Sequence, residues 1–131
     1  MQEKQEKYQL IAMTLAGTAL LAAGAALADR SFGAIALSPQ TGHYGIVVNR
    51  TSRAAAERDA RSRCQVANCR TTLVFKNACG AIVRKGNVLV AASGSDRQTT
   101  LTEALQRTGK EAKVITWECS KGAKTSESRL H

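Results

Sequence analysis

One proline, two histidines, one tryptophan and 4% aromatic residues are all that this 131-residue chain has of four informative types. A lone Pro39 excludes a proline-rich spacer or recognition helix. With His43 and His131 as its only histidines, the chain cannot build a histidine-rich metal site. Scarce aromatics argue against nucleic acid as a partner, because proteins that hold single strands stack successive bases on aromatic rings. Acidic residues are also short, 10 against 19 Lys and Arg, for a formal charge of +9. No glycine-rich phosphate loop is present, since Ser93-Gly94-Ser95 reads as a plain linker into a helix.

What is there begins at the amino end. From Leu10 to Leu27 no residue is charged, and the run closes on Ala26-Leu27-Ala28 before Asp29-Arg30. Small residues at the −3 and −1 positions are what signal peptidase accommodates, so residues 1–28 read as a signal peptide cleaved near Ala28. The alternative is an uncleaved anchor, because the run approaches the roughly 17 residues that span a bilayer. Gly17, Gly24 and the many alanines make it a poor permanent anchor. Cleavage leaves about a hundred residues, enough for one compact domain. The charge stays at +9, because the segment carries Lys4 and Lys7 against Glu3 and Glu6. The expected location is periplasmic or extracellular. All four cysteines, Cys64, Cys69, Cys79 and Cys119, follow the segment. An even number in a small exported chain predicts two disulfides, and the spacings lack the two close pairs of a zinc site.

An internal repeat organises the domain. Gly33-Ala34-Ile35-Ala36 recurs as Gly80-Ala81-Ile82-Val83. Each is followed by a turn (Ser38 to Gly42, Lys85 to Asn87) and a second apolar run (Tyr44 to Val48, Val88 to Ala92). Ser52-Arg53 and Asp96-Arg97 then offer short polar side chains that can cap helix amides. Ala54 to Arg63 and Thr99 to Arg107 read as helices, with Ala56, Ala60 and Cys64 on one face of the first and Leu101 and Leu105 on one face of the second. Thr71 to Phe75 and Val114 to Trp117 read as strands. The predicted fold is α+β: two strand-strand-helix-strand units, at about 32–76 and 80–119, forming one mostly antiparallel sheet with two helices packed on it. The single domain spans 29–120, and 121–131 is expected to be a flexible polar tail. Cys79 and Cys119 each follow the closing strand of a unit, and related positions in a pseudo-symmetric pair lie close together. This pairs Cys79 with Cys119 and leaves Cys64 with Cys69.

Several of these residues, taken together, resemble a known family. Gly33-Ala34-Ile35-Ala36, Thr41-Gly42 with Tyr44-Gly45, Ser52-Arg53 with Ala56, and Asn77-Ala78-Cys79-Gly80-Ala81 look like domain-of-unknown-function family 4189. The resemblance runs from about Phe32 to Cys119 and implies a small exported bacterial domain with no assigned catalytic activity. The second unit departs from the fuller pattern by lacking cysteines at the end of its helix.

Chemistry is thin. His43 sits in a turn with no obvious partner, and oxidised thiols leave no Cys-His nucleophile. Glu57 and Glu103 hold similar helix positions among arginines and read as surface ion pairs. Glu118, between Trp117 and Cys119, is the most interesting acid. Glu118 and His43 are therefore the weak candidates for catalysis; no metal or cofactor is implied. The positive signal is charge: Arg50, Arg53, Arg58, Arg61, Arg63 and Arg70 cluster in and around the first helix, diluted by Glu57 and Asp59. Lys110, Lys113, Lys121, Lys124 and Arg129 form a second basic region. Such a surplus attracts anionic partners. The expected function is an exported non-catalytic binding module engaging an acidic protein, of inhibitor, immunity or effector type. The alternatives are a small hydrolase acting on envelope material and a structural protein held by charge to an anionic envelope polymer or membrane surface.

Overall fold

In each unit a hairpin leads into a capped helix and then a return strand. The computed structural model describes residues 30–124; the segment read as a signal peptide and the end of the tail lie outside them. The first unit comprises β1 (Phe32–Leu37), β2 (Tyr44–Arg50), α1 (Arg53–Cys64) and β3 (Arg70–Lys76). The second comprises β4 (Cys79–Lys85), β5 (Val88–Gly94), α2 (Arg97–Thr108) and β6 (Lys113–Cys119). Ser52 Oγ accepts from the Ala55 amide at 3.1 Å, and Asp96 Oδ1 accepts from the Thr99 amide at 2.7 Å. These bonds satisfy amides that the first helical turn leaves without partners. Gln65, in the left-handed region at φ 69°, ends α1.

The strands form two antiparallel three-stranded sheets, ordered β2-β1-β3 and β5-β4-β6, where a single sheet was expected. The reason lies in β1. Ala34 and Ala36 join a cluster with Ala56, Ala60 and Cys64 of α1, while Ile35 and Leu37 point the other way. Each central strand already has both edges filled by its own unit, and each unit's helix covers one face only. In a single sheet the second face, with Ile35, Leu37, Ile46 and Phe75 on one unit and Ile82 and Ala91 on the other, would stand in water. Packing sheet on sheet buries all six residues in one cluster. The result is four layers: α1, sheet, sheet, α2.

The repeat persists at the level of register. In both central pairings the ladder slips once, between Ile35 and Ala36 against β3 and between Ile82 and Val83 against β6. Across the inter-sheet layer β1 faces β4, β2 faces β6 and β3 faces β5, which is a pseudo-two-fold arrangement. The two repeat glycines have a shared task there. A Cβ on Gly33 would lie 2.3 Å from the Phe75 ring, and one on Gly80 would lie 2.5 Å from it. The ring therefore lies in a slot between the two strands, and only glycine leaves it room.

The disulfides are Cys64–Cys69 and Cys79–Cys119, the pairing expected from the repeat. The first closes the turn from α1 into β3. The second joins β4 to β6, where the two cysteines sit directly opposite. Two expectations shift. On α2 the buried residues are Thr100 and Ala104, while Leu101 is only half-buried and Leu105 is 37% exposed. A Cβ on Gly94 would come 2.8 Å from Thr100 Oγ1, so α2 lies too close to β5 for a leucine at this contact. At the carboxyl end, Lys121 to Lys124 are tied down rather than free. The Lys121 amide donates to Asn49 Oδ1 at 2.7 Å and the Lys124 amide to the Ser95 carbonyl at 2.8 Å.

Candidate functional site

The six arginines expected to form one basic patch divide into two groups. Arg50 and Arg63 are tied into the scaffold. Arg50 Nη1 donates to the Val48 carbonyl at 2.7 Å, and its Nε contacts Asp59 at 2.6 Å. Arg63 Nη1 donates to the Ile46 carbonyl at 3.0 Å, and in the second unit Arg107 Nη1 donates to the Ala91 carbonyl at 3.1 Å. Arg63 and Arg107 hold the same place in their helices, counted from the caps Ser52 and Asp96. This repeated bond clamps each helix to the second strand of its unit.

Arg53, Arg58, Arg61 and Arg70 remain outward and exposed. Arg53 approaches Glu57 at 3.4 Å one helical turn on, Arg58 approaches Asp59 at 3.2 Å, and Arg61 Nη1 donates to Thr71 Oγ1 at 3.0 Å. Two carboxylates cannot neutralise this face, so it stays strongly cationic. Its backbone is held rigid behind it by Cys64–Cys69 and the Arg63 clamp. Asp59 is shared by two guanidiniums, and the hydrogen bond from Arg50, followed by that from Arg58, holds its carboxyl below the usual carboxylate range. A depressed folded-state pKa stabilises the fold above the unfolded value and is lost as pH falls through the folded one. The stability gap between wild type and Asp59→Asn is therefore expected to be open at neutral pH and to close below about pH 4. Because the pair is solvent-accessible, added salt should shrink the gap as well. Urea titrations at several pH values and ionic strengths measure both effects.

His43 does have a partner. Thr41 Oγ1 donates to Ser38 Oγ at 2.8 Å, and Ser38 Oγ donates to Asn68 Oδ1 at 2.7 Å. Thr41 Oγ1 in turn makes a hydrogen-bond contact with His43 Nδ1 at 2.9 Å. The relay fixes the β1–β2 turn, whose Gly42 carbonyl also accepts from Arg84 at 3.3 Å. Only the Thr41-x-His43 spacing in the sequence hinted at it.

Glu118 lies at the other end of the sheets. It stands opposite Gly80 at the start of β4, while His43 adjoins the turn that meets Arg84 near the end of β4. Four residues of strand separate those levels, about 13 Å. The structure does not bring these two candidates together as an acid-base pair. Glu118 matches Phe75 in the repeat, each opposite the first glycine of its unit's Gly-Ala-Ile motif. Its Oε2 is buried without a hydrogen-bond partner among the described residues. Among those residues no three metal-ligating side chains gather, and all four thiols are oxidised. In the second basic region Lys110, Lys113, Lys121 and Lys124 are exposed, and Arg129 lies outside the described residues.

With this geometry in view, the chain can be placed. It belongs to the family described as domain of unknown function, DUF4189, which matches residues 32–119. It is similar in fold to the NMR structure of Rv1813c from Mycobacterium tuberculosis, with a TM-score of 0.58 and 26% identity over 69% of this chain and 75% of that one. No curated protein matches it.

Proposed function

We propose that this DUF4189 domain is an exported, non-catalytic binding module that engages an acidic protein partner in the envelope or extracellular space. The observation that carries the proposal is the exposed set of Arg53, Arg58 and Arg61 on a helix clamped from behind, with Arg70 exposed at the start of β3. Guanidiniums bind carboxylates in a planar, two-pronged way, and holding the scaffold rigid lowers the entropy lost on binding. Two disulfides in a small domain support an oxidising compartment, and the uncharged run Leu10 to Leu27 supports export. Inhibitor, immunity and effector roles all make use of such a face.

The test compares two sets of substitutions for capture of partner from exported fractions. Arg53→Gln, Arg58→Gln and Arg61→Gln together are expected to weaken capture at least tenfold and to leave the thermal transition within a few degrees of wild type. His43→Gln with Glu118→Gln is expected to leave capture unchanged. The opposite pattern, with capture indifferent to the arginines and lost with His43 and Glu118, would point instead to the envelope-acting hydrolase.

A further inference from the structure

The repeat supplies an internal control for the molecule's outer surface. Counted from the caps Ser52 and Asp96, Arg53, Glu57 and Arg61 of α1 correspond to Arg97, Leu101 and Leu105 of α2. By ladder register, Thr71 and Val74 of β3 correspond to Val114 and Trp117 of β6. On the first unit the helix positions and Thr71 are polar, with the Arg53–Glu57 pair and the Arg61–Thr71 bond, while Val74 is apolar and packs against the α1 cluster. On the second this flank is apolar, with Leu105, Val114 and Trp117 exposed by 37, 41 and 39%. The first unit shows that the fold does not need apolar side chains at the places of Leu101, Leu105 and Val114. The chain itself covers Leu105, Val114 and Trp117 only in part, and each keeps more than a third of its surface open.

Their surroundings identify the occupant. The Arg97 guanidinium lies over the Trp117 ring, 4.5 Å from its centre, at one end of the strip. Lys110 and Lys113 stand exposed at the other, outnumbering the exposed Glu111 between them. We propose that this flank of α2 and β6 docks on an anionic lipid surface. A tryptophan suits the headgroup level, leucines on an outermost helix suit the acyl boundary just below it, and long cationic side chains at the rim meet lipid phosphates. A second copy of the chain fits poorly, since a two-fold contact would set Arg97, Lys110 and Lys113 against like charges. The uncharged run Leu10 to Leu27, read as an export signal, takes the domain across a bilayer before it is removed. This inference concerns the flank of α2 and does not depend on the arginine face of α1.

Trp117 is the chain's single tryptophan, so its fluorescence reports on this flank alone. The experiment takes oxidised protein recovered from the exported fraction, its amino terminus read by mass spectrometry, and adds vesicles of phosphatidylglycerol and phosphatidylcholine or of phosphatidylcholine alone. The control is Leu101→Glu with Leu105→Arg, which installs the first unit's pair at no change in net charge. Wild type is expected to show a blue-shifted Trp117 emission with the anionic vesicles and a much weaker response to the neutral ones. The double variant is expected to bind roughly tenfold or more weakly, without the shift and with its thermal transition preserved. Absence of a shift with either vesicle overturns the proposal. So does equal, salt-released binding of both proteins, which would assign attachment to charge alone. A soluble protein partner that shields Trp117 from quenching where vesicles do not would overturn it in favour of a protein interface.

Discussion

Replacing Phe75 with alanine is expected to cost about 3–5 kcal/mol, among the most damaging single changes to the core. The ring is 6% exposed, fills the slot between Gly33 and Gly80, and belongs to the cluster that joins the two sheets. At roughly 4–8 °C per kcal/mol for a domain of this size, the melting temperature should fall by at least about 12 °C. The slot makes a second, sharper expectation possible. Gly80→Ala places a methyl 2.5 Å from the ring and 3.1 Å from Ile35 Cδ1, so it should be destabilising in wild type. In a Phe75→Leu background most of that penalty should disappear, because the clashing ring atoms are gone. A double-mutant cycle measured by urea unfolding tests the coupling. Additive effects, or a Phe75→Ala cost below about 1 kcal/mol, would show that the inter-sheet layer is not held as described.

The second large effect separates the two disulfides. Cys79–Cys119 bridges a sequence separation of 40, and Cys64–Cys69 one of 5. On the chain-entropy model the longer crosslink contributes roughly 4 kcal/mol and the shorter roughly 2 kcal/mol. Replacing Cys79 and Cys119 together by alanine should therefore lower the melting temperature about twice as far as replacing Cys64 and Cys69. Packing adds in the same direction, since Cys79 is fully buried and lies beside the Gly80 wall of the Phe75 slot. The local bridge matters more for shape. Its loss should loosen the end of α1 and hence the footing of the arginine face. Thermal melts of the two paired variants rank the bridges, and a larger loss from Cys64 and Cys69 would contradict the ranking.

Much of this architecture was legible in the sequence, because the signals were local and doubled. Ser52 and Asp96 announce helix starts by short-range chemistry, and Lys85-Gly86-Asn87 announces a hairpin. The recurrence of Gly-Ala-Ile aligns the units closely enough to pair the cysteines. What escaped depended on tertiary contacts. A strand apolar on both faces, such as β1, reads equally well in one sheet with two layers of helices or in two sheets back to back. Only the pairing of its two edges decides. Leu101 and Leu105 outrank Thr100 and Ala104 in hydrophobicity, yet the approach of α2 to Gly94 admits only the smaller pair. Thr100 tolerates burial because its hydroxyl donates to the Asp96 carbonyl at 2.7 Å. The arginine cluster was visible as charge, but spacing alone could not show that Arg50 and Arg63 are spent on Val48 and Ile46. His43 was readable as a turn residue, whereas its relay through Thr41 to Ser38 and Asn68 joins residues far apart in sequence.

The account rests most heavily on the arginine face, and one measurement addresses it directly. Oxidised protein is immobilised, exposed to periplasmic and secreted fractions, and washed at low and at high salt, with bound species identified by mass spectrometry. The account predicts one acidic protein captured by wild type, thinned but still present at high salt, and absent from the variant with Arg53, Arg58 and Arg61 changed to Gln. Capture of anionic polymer alone, fully released by salt, would contradict it and leave a protein that clings to its surroundings by charge.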